Sequence, residues 1–143
     1  MKFAFLAIVF AFSVQHCSQP APKGKCANPQ LVELKNKLPT REWKELLKQG
    51  IGPYSDAIIQ DSEKLLEKFL DDLCGLGSLP KKEEVLKCVK ETVIAFNELD
   101  KKYDGFIETE EREQLAEFIS IAAAKTLQVE LGNTDYTEPW RDW

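Results

Sequence analysis

Apolar residues recur along most of this chain at intervals of three and four, and no stretch alternates at two long enough to read as a strand. That pattern predicts an all-α fold: a compact bundle of about four to five helices followed by an aromatic C-terminal tail. The longest stripe, Ile58, Ile59, Leu65, Leu66, Phe69, Leu70 and Leu73, predicts a helix that starts at Ser55 or Asp56 and stops at Gly75 and Gly77. Val85, Val89, Val93, Phe96 and Leu99 gather on one face of the next segment, with Pro80 in its first turn, where no amide partner is needed. Leu115, Phe118, Ile119 and Ala122 repeat the spacing, so Val85 to Ala124 reads as a helical hairpin. Before these, Leu31, Leu34 and Leu38 predict a short helix over 30–38 that Pro39 stops. Thr40 is expected to cap 41–49, which carries a core-facing Trp43 and closes at Gly50.

The hairpin turns through Leu99 to Glu111. Counted from Asp100, the connection has Asp104 fifth, Gly105 sixth, Ile107 eighth, Glu108 ninth and Glu111 twelfth, with aromatic Phe96 four residues ahead, and so resembles an EF-hand loop. The resemblance implies a calcium ion held by Asp100, Asp104, the Phe106 carbonyl, Glu108 through water and both oxygens of Glu111, since a hard cation takes six to eight oxygens. Lys102 departs from it, replacing an oxygen donor with a positive charge; Arg112 stands where the exiting helix usually turns apolar, and no second loop pairs with the first. Turn chemistry alone accounts for the same residues. A helix ends near Tyr103, Gly105 takes the left-handed closing conformation, Thr109 caps the next helix, and Glu110 and Glu111 favour its first turn through the dipole.

Met1-Lys2 and the apolar run Phe3 to Phe12 have the form of a secretory signal peptide over 1–16, too short to span a bilayer. Ala11 and Ser13 suit an ordinary signal peptidase that would leave Val14 first. Alternatively, Val14-Gln15-His16-Cys17 resembles a bacterial lipobox, with Cys17 lipidated and 17–29 as linker or tether ahead of a single helical domain at 30–143. His16 departs from the Gly, Ala or Ser usual before that cysteine. Either route predicts export: a chain lipid-anchored at a bacterial envelope, or periplasmic or secreted.

Composition narrows function. The formal net charge is −5, one unit more negative without Lys2, and no basic stripe is present, which argues against nucleic acid and against broad adhesion to anionic membranes. His16 is the sole histidine, so a mature chain lacks Ser-His-Asp, Cys-His and histidine-zinc chemistry. Carboxylate pairs such as Asp71 with Asp72, or Glu108 with Glu111, remain as nominal acid and base, but carboxylates this frequent on helices read as solvated. No enzyme and no cofactor beyond possible calcium is expected; the leading function is binding an unidentified protein partner, with membrane contact only through a lipid anchor.

Cys17, Cys26, Cys74 and Cys88 suit an oxidising compartment and are not spaced as zinc ligands. Cys74 and Cys88 fall out of register across their hairpin and read as small core residues; a lipidated Cys17 leaves at least one of the others unpaired. In the tail, Tyr136, Trp140 and Trp143 are too many rings for a simple solvated end, and docking onto the bundle is favoured over presentation to a partner.

The Trp43 segment, Leu-Glu-Lys-Phe-Leu-Asp-Asp at 66–72 and Phe-Ile-Glu-Thr-Glu-Glu-Arg-Glu at 106–113 together resemble a family of small bacterial helical domains of unknown function. Such domains are often exported or encoded as accessory proteins, which implies the fold and the envelope location but no catalytic residues.

Overall fold

The computed structural model describes residues 26–143. The predicted leader 1–16, Cys17 and residues 18–25 lie outside it. The described residues form five helices and no strand: α1 (Pro29–Leu34), α2 (Thr40–Lys48), α3 (Asp56–Gly75), α4 (Lys82–Lys102) and α5 (Thr109–Leu127). None of these is long and apolar enough to cross a membrane.

Local chemistry sets the ends. Asn28 caps α1 by accepting the Gln30 amide at 3.0 Å, and Pro29 takes the first helical position. The helix stops at Leu34, earlier than the spacing predicts, because Asn36 and Lys37 bond back to Glu33 and Leu34 in tighter turns. Leu38 therefore reaches the core from a turn, which preserves its apolar register without a helix. Thr40 is not the cap of α2 but its first residue. It is fully buried, and its hydroxyl donates to Glu63 at 3.2 Å across to α3. Ser55 caps α3 as predicted, accepting the Ile58 amide at 3.2 Å. Pro80 falls outside α4, whose N-cap is Lys81; the Lys81 amide donates to Glu84 at 2.8 Å. Gln128, left-handed at φ 56°, closes α5 before Gly132 is reached.

α3 packs chiefly on α4, which also packs on α5; α2 lies on α3 and α1 on α5. Trp43, Leu66, Phe69, Leu70, Val89, Phe96, Leu115 and Ile119 are fully sealed between them. α5 is buried on several faces, down to Ser120, Ala123 and Thr126, because the tail covers the side the helices leave open. The Tyr136 amide donates to Ser120 at 3.0 Å. Buried Asn97 on α4 clasps the tail twice, donating to the Trp140 carbonyl at 2.8 Å and accepting the Asp142 amide at 3.2 Å. Tyr136, Trp140 and Trp143 all pack against the core, so the tail is docked.

The cysteines divide differently from expectation. Cys88 is buried and free, a small core residue. Cys74 is half-buried and bonded to Cys26, with Cα atoms 5.1 Å apart at a sequence separation of 48. Because α3, α4 and α5 run up, down and up, the molecule has two ends. One holds the disulfide, the α3–α4 connection and the end of α5; the other holds the α4–α5 loop and the start of α3. The 21 residues of α4 span about 31 Å between them.

Candidate functional site

The residues for which the sequence predicts a metal role lie in the α4–α5 loop and the helix turns that flank it, Asp100 in the last turn of α4 and Glu111 in the first turn of α5. The Gly105 amide closes α4 onto the Asp100 carbonyl at 2.9 Å, and both Asp104 (φ 57°) and Gly105 (φ 81°) adopt left-handed backbone. Gly105 does so as expected; Asp104 shares the turn because a short polar side chain tolerates that region. Asp100 Oδ1 accepts the Ile107 amide at 2.7 Å, which turns the chain so that Phe106 and Ile107 enter the core. Glu108, not Thr109, is the N-cap of α5, and its amide donates to Glu111 Oε2 at 3.1 Å and to the Phe106 carbonyl at 3.1 Å.

Glu111 is the unexpected residue. It is only 4% exposed, and its other oxygen accepts a hydrogen bond from the Tyr54 hydroxyl. A carboxylate buried this far needs such donors, since an unpaired one would bear a large desolvation cost. Tyr54 in turn stacks on Trp43, with centroids 5.4 Å apart and planes 14° from parallel. Phe106 meets Trp43 edge-on at 6.1 Å and Tyr103 edge-on at 6.3 Å. Trp43 Nε1 donates to Gln114 at 2.6 Å, and Gln114 donates to Glu42 at 3.1 Å. Burial, then the neighbouring Glu111 carboxylate, pushes the Tyr54 hydroxyl well above its ordinary pKa, so it remains a donor. Gly52 is required beneath this ring: its φ is 83°, and a Cβ there would stand 2.5 Å from Tyr54 Cε2.

Lys102 is drawn out of the loop toward α3. Its ammonium sits 2.7 Å from Asp61 and over the Tyr103 ring at 4.6 Å, while the Tyr103 hydroxyl donates to the same Asp61 oxygen at 2.8 Å. These donors, with Lys64 at 3.3 Å, hold the Asp61 carboxyl well below the usual carboxylate range. Asp61, Tyr54 and Gln114 were not singled out from the sequence. The sequence signal that could have found Tyr54 is its place directly after Gly52-Pro53, a pair that marks a special turn.

Of the five predicted metal positions, the loop brings Glu108 to Glu111 and Asp100 to the Ile107 amide, but it does not converge them. Among the described residues, no three His, Cys, Asp or Glu side chains gather as ligands of one metal ion. Asp104, Glu108 and Glu110 are exposed and make no ion pair among the described residues, so this end presents net negative charge. The nominal pair Asp71 and Asp72 is spent on Lys35 and Lys68, each at 2.5 Å.

Of the hollows elsewhere on the described residues, two bear on the disulfide and the tail. One, about 290 Å³, adjoins the disulfide and is walled by Asn28, Cys74, Ser78, Lys125 and Gln128. The other, about 620 Å³, separates α5 from the tail and holds Arg112, Asp135, Arg141 and Trp143. There burial would raise the Asp135 carboxyl, but the Thr137 hydroxyl and amide and the Arg141 guanidinium outweigh it and hold it low. No family model, curated protein or solved structure matches the chain.

Proposed function

We propose that this chain is an exported bacterial protein, held at the envelope by a lipid on Cys17, whose helical domain binds a protein partner and performs no catalysis. The observation that supports it is the Cys26–Cys74 disulfide. Such bonds persist in oxidising compartments and are rare in reducing ones, which agrees with the leader pattern at 1–16. The partner surface we assign to the loop end, where Glu42, Asp104, Glu108 and Glu110 offer exposed carboxylates on a rigid aromatic base to a basic partner. Capture from envelope extracts at low and high salt tests this: a partner released by salt, and lost on charge reversal of Glu108 and Glu110, is expected. Retention indifferent to both would remove the assignment.

The second reading is calcium binding at Asp100, Asp104, Phe106, Glu108 and Glu111. What favours it is the helix, Gly105 turn and helix order, with Lys102 already turned away toward Asp61. It requires Tyr54 to release Glu111. Calcium titration calorimetry with magnesium present should then show tighter binding for Lys102→Asp and weaker binding for Glu111→Gln; no heat in any variant leaves the loop as a helix connector.

A further inference from the structure

The disulfide end carries an arrangement that the loop end lacks. Leu79 is 85% exposed, the most exposed large apolar side chain among the described residues. A lone exposed leucine is ordinary; the neighbours of Leu79 give it meaning. Gln128 Nε2 donates to the Ser78 carbonyl at 3.0 Å, which pins the Leu79 turn against the end of α5, where Val129 is 50% exposed. Lys81 and Lys82 follow Leu79 after a single proline, Pro80, and Lys125 stands in the wall of the adjoining hollow. None of the three forms an ion pair among the described residues.

The disulfide holds Cys26 at this same end, and nine residue steps of sequence separate it from Cys17. Covalent geometry limits that stretch to a reach of about 30 Å, comparable to the length of α4.

We propose that the disulfide end is a membrane-contacting face, on which Leu79 and Val129 enter the interfacial zone of the phospholipid surface and Lys81, Lys82 and Lys125 meet its headgroup phosphates. Apolar tips flanked by lysines suit that boundary, since the stems of lysine lie along apolar surface while the ammonium stays with the phosphate. Glu83, Glu84 and Glu130 stand near the lysines, so the contact is not an adhesion driven by net charge. It is a weak contact made effective by the tether, which holds the domain at high local concentration over the surface. The consequence is orientation: the carboxylates of the loop end point away from the bilayer.

The inference rests on the lipid-anchored reading, and one experiment separates the two. The full chain is produced with its leader in a bacterial host and the acyl state of Cys17 is read by mass spectrometry. Nitroxide labels are then placed at Leu79→Cys or Glu110→Cys. Cys88 does not compete for label, because burial holds its thiol pKa at about 11. On vesicles of phosphatidylethanolamine with a minority of phosphatidylglycerol, the label at 79 should collide more with oxygen than with an aqueous nickel chelate, and the label at 110 the reverse. An acylated chain bound to vesicles with both labels equally aqueous overturns the inference alone. A chain without acyl groups that stays in the soluble fraction overturns the anchored reading, and this inference with it.

Discussion

Replacing both Cys26 and Cys74 by Ser removes a cross-link that closes a 48-residue separation. In the chain-entropy account a loop of that size restricts the unfolded ensemble by about 4 kcal/mol at 25 °C. The native side trims this figure. α1 is held independently by buried Leu31 and Leu34, and the turn after it by buried Leu38, so the helix does not depend on the bond for its place. Cys26 and Cys74 are both half-buried, and their replacement leaves no large cavity. We expect a loss of about 3 kcal/mol, which for a fold of about 120 residues lowers Tm by roughly 12 °C. The assay is urea unfolding of wild type with and without reductant, beside the double variant, by far-ultraviolet circular dichroism. Reduced wild type and the double variant should coincide, both with a somewhat steeper dependence on urea than the oxidised protein, because the chain without the cross-link exposes more surface on unfolding. A loss below about 1 kcal/mol would refute the reasoning, since it would mean the bond only decorates a terminus that frays freely.

Three further outcomes follow from the same geometry. Tyr54→Phe strips a donor from buried Glu111 and should cost about 2 kcal/mol in urea unfolding, while Tyr54→Ala should cost more because Trp43 loses its stacked ring. Asp61→Asn should lower stability slightly above about pH 4 and progressively less as pH falls below it. The folded carboxyl titrates lower than the unfolded one, so its contribution is present above the unfolded value of about 3.9 and fades as pH falls toward the folded value; melts at neutral and acid pH would show the gap narrowing. Asn97→Ala should release the tail at about 2 kcal/mol, read as lost exchange protection of the Asp142 amide and red-shifted tryptophan emission.

The helices α3, α4 and α5 were legible because their apolar positions obey one period over five or more turns, long enough to outvote local exceptions. α1 was overextended because Leu38 satisfies the same spacing from a turn, and side-chain period cannot tell a helix from a turn that keeps its phase. Thr40 and Glu111 expose the opposite limit. Each is a polar residue that the local pattern sends to a cap or to solvent, and each is buried because a residue distant in sequence, Glu63 or Tyr54, satisfies it. The Cys26–Cys74 bond was illegible for the same reason: cysteine spacing does not encode connectivity, and Cys26 sits in a stretch whose composition reads as linker. The loop's course was readable from Gly105, whereas the engagement of its carboxylates depends on α2, α3 and the turn at Gly52.

The sealed thiol of Cys88 bears on how the chain acquires its covalent structure. At neutral pH a thiol with a pKa of about 11 is ionised in only about one molecule in ten thousand, and its burial against α3 keeps even that fraction from an approaching disulfide. In the unfolded chain no such discrimination exists, and Cys26, Cys74 and Cys88 are equivalent partners. Once α3 and α4 have closed on Cys88, Cys26 and Cys74 are the pair left accessible to oxidation among the described cysteines. Changes that loosen the α3–α4 contact should surface first as mispaired or intermolecularly linked chains, at temperatures where the bundle itself is still folded.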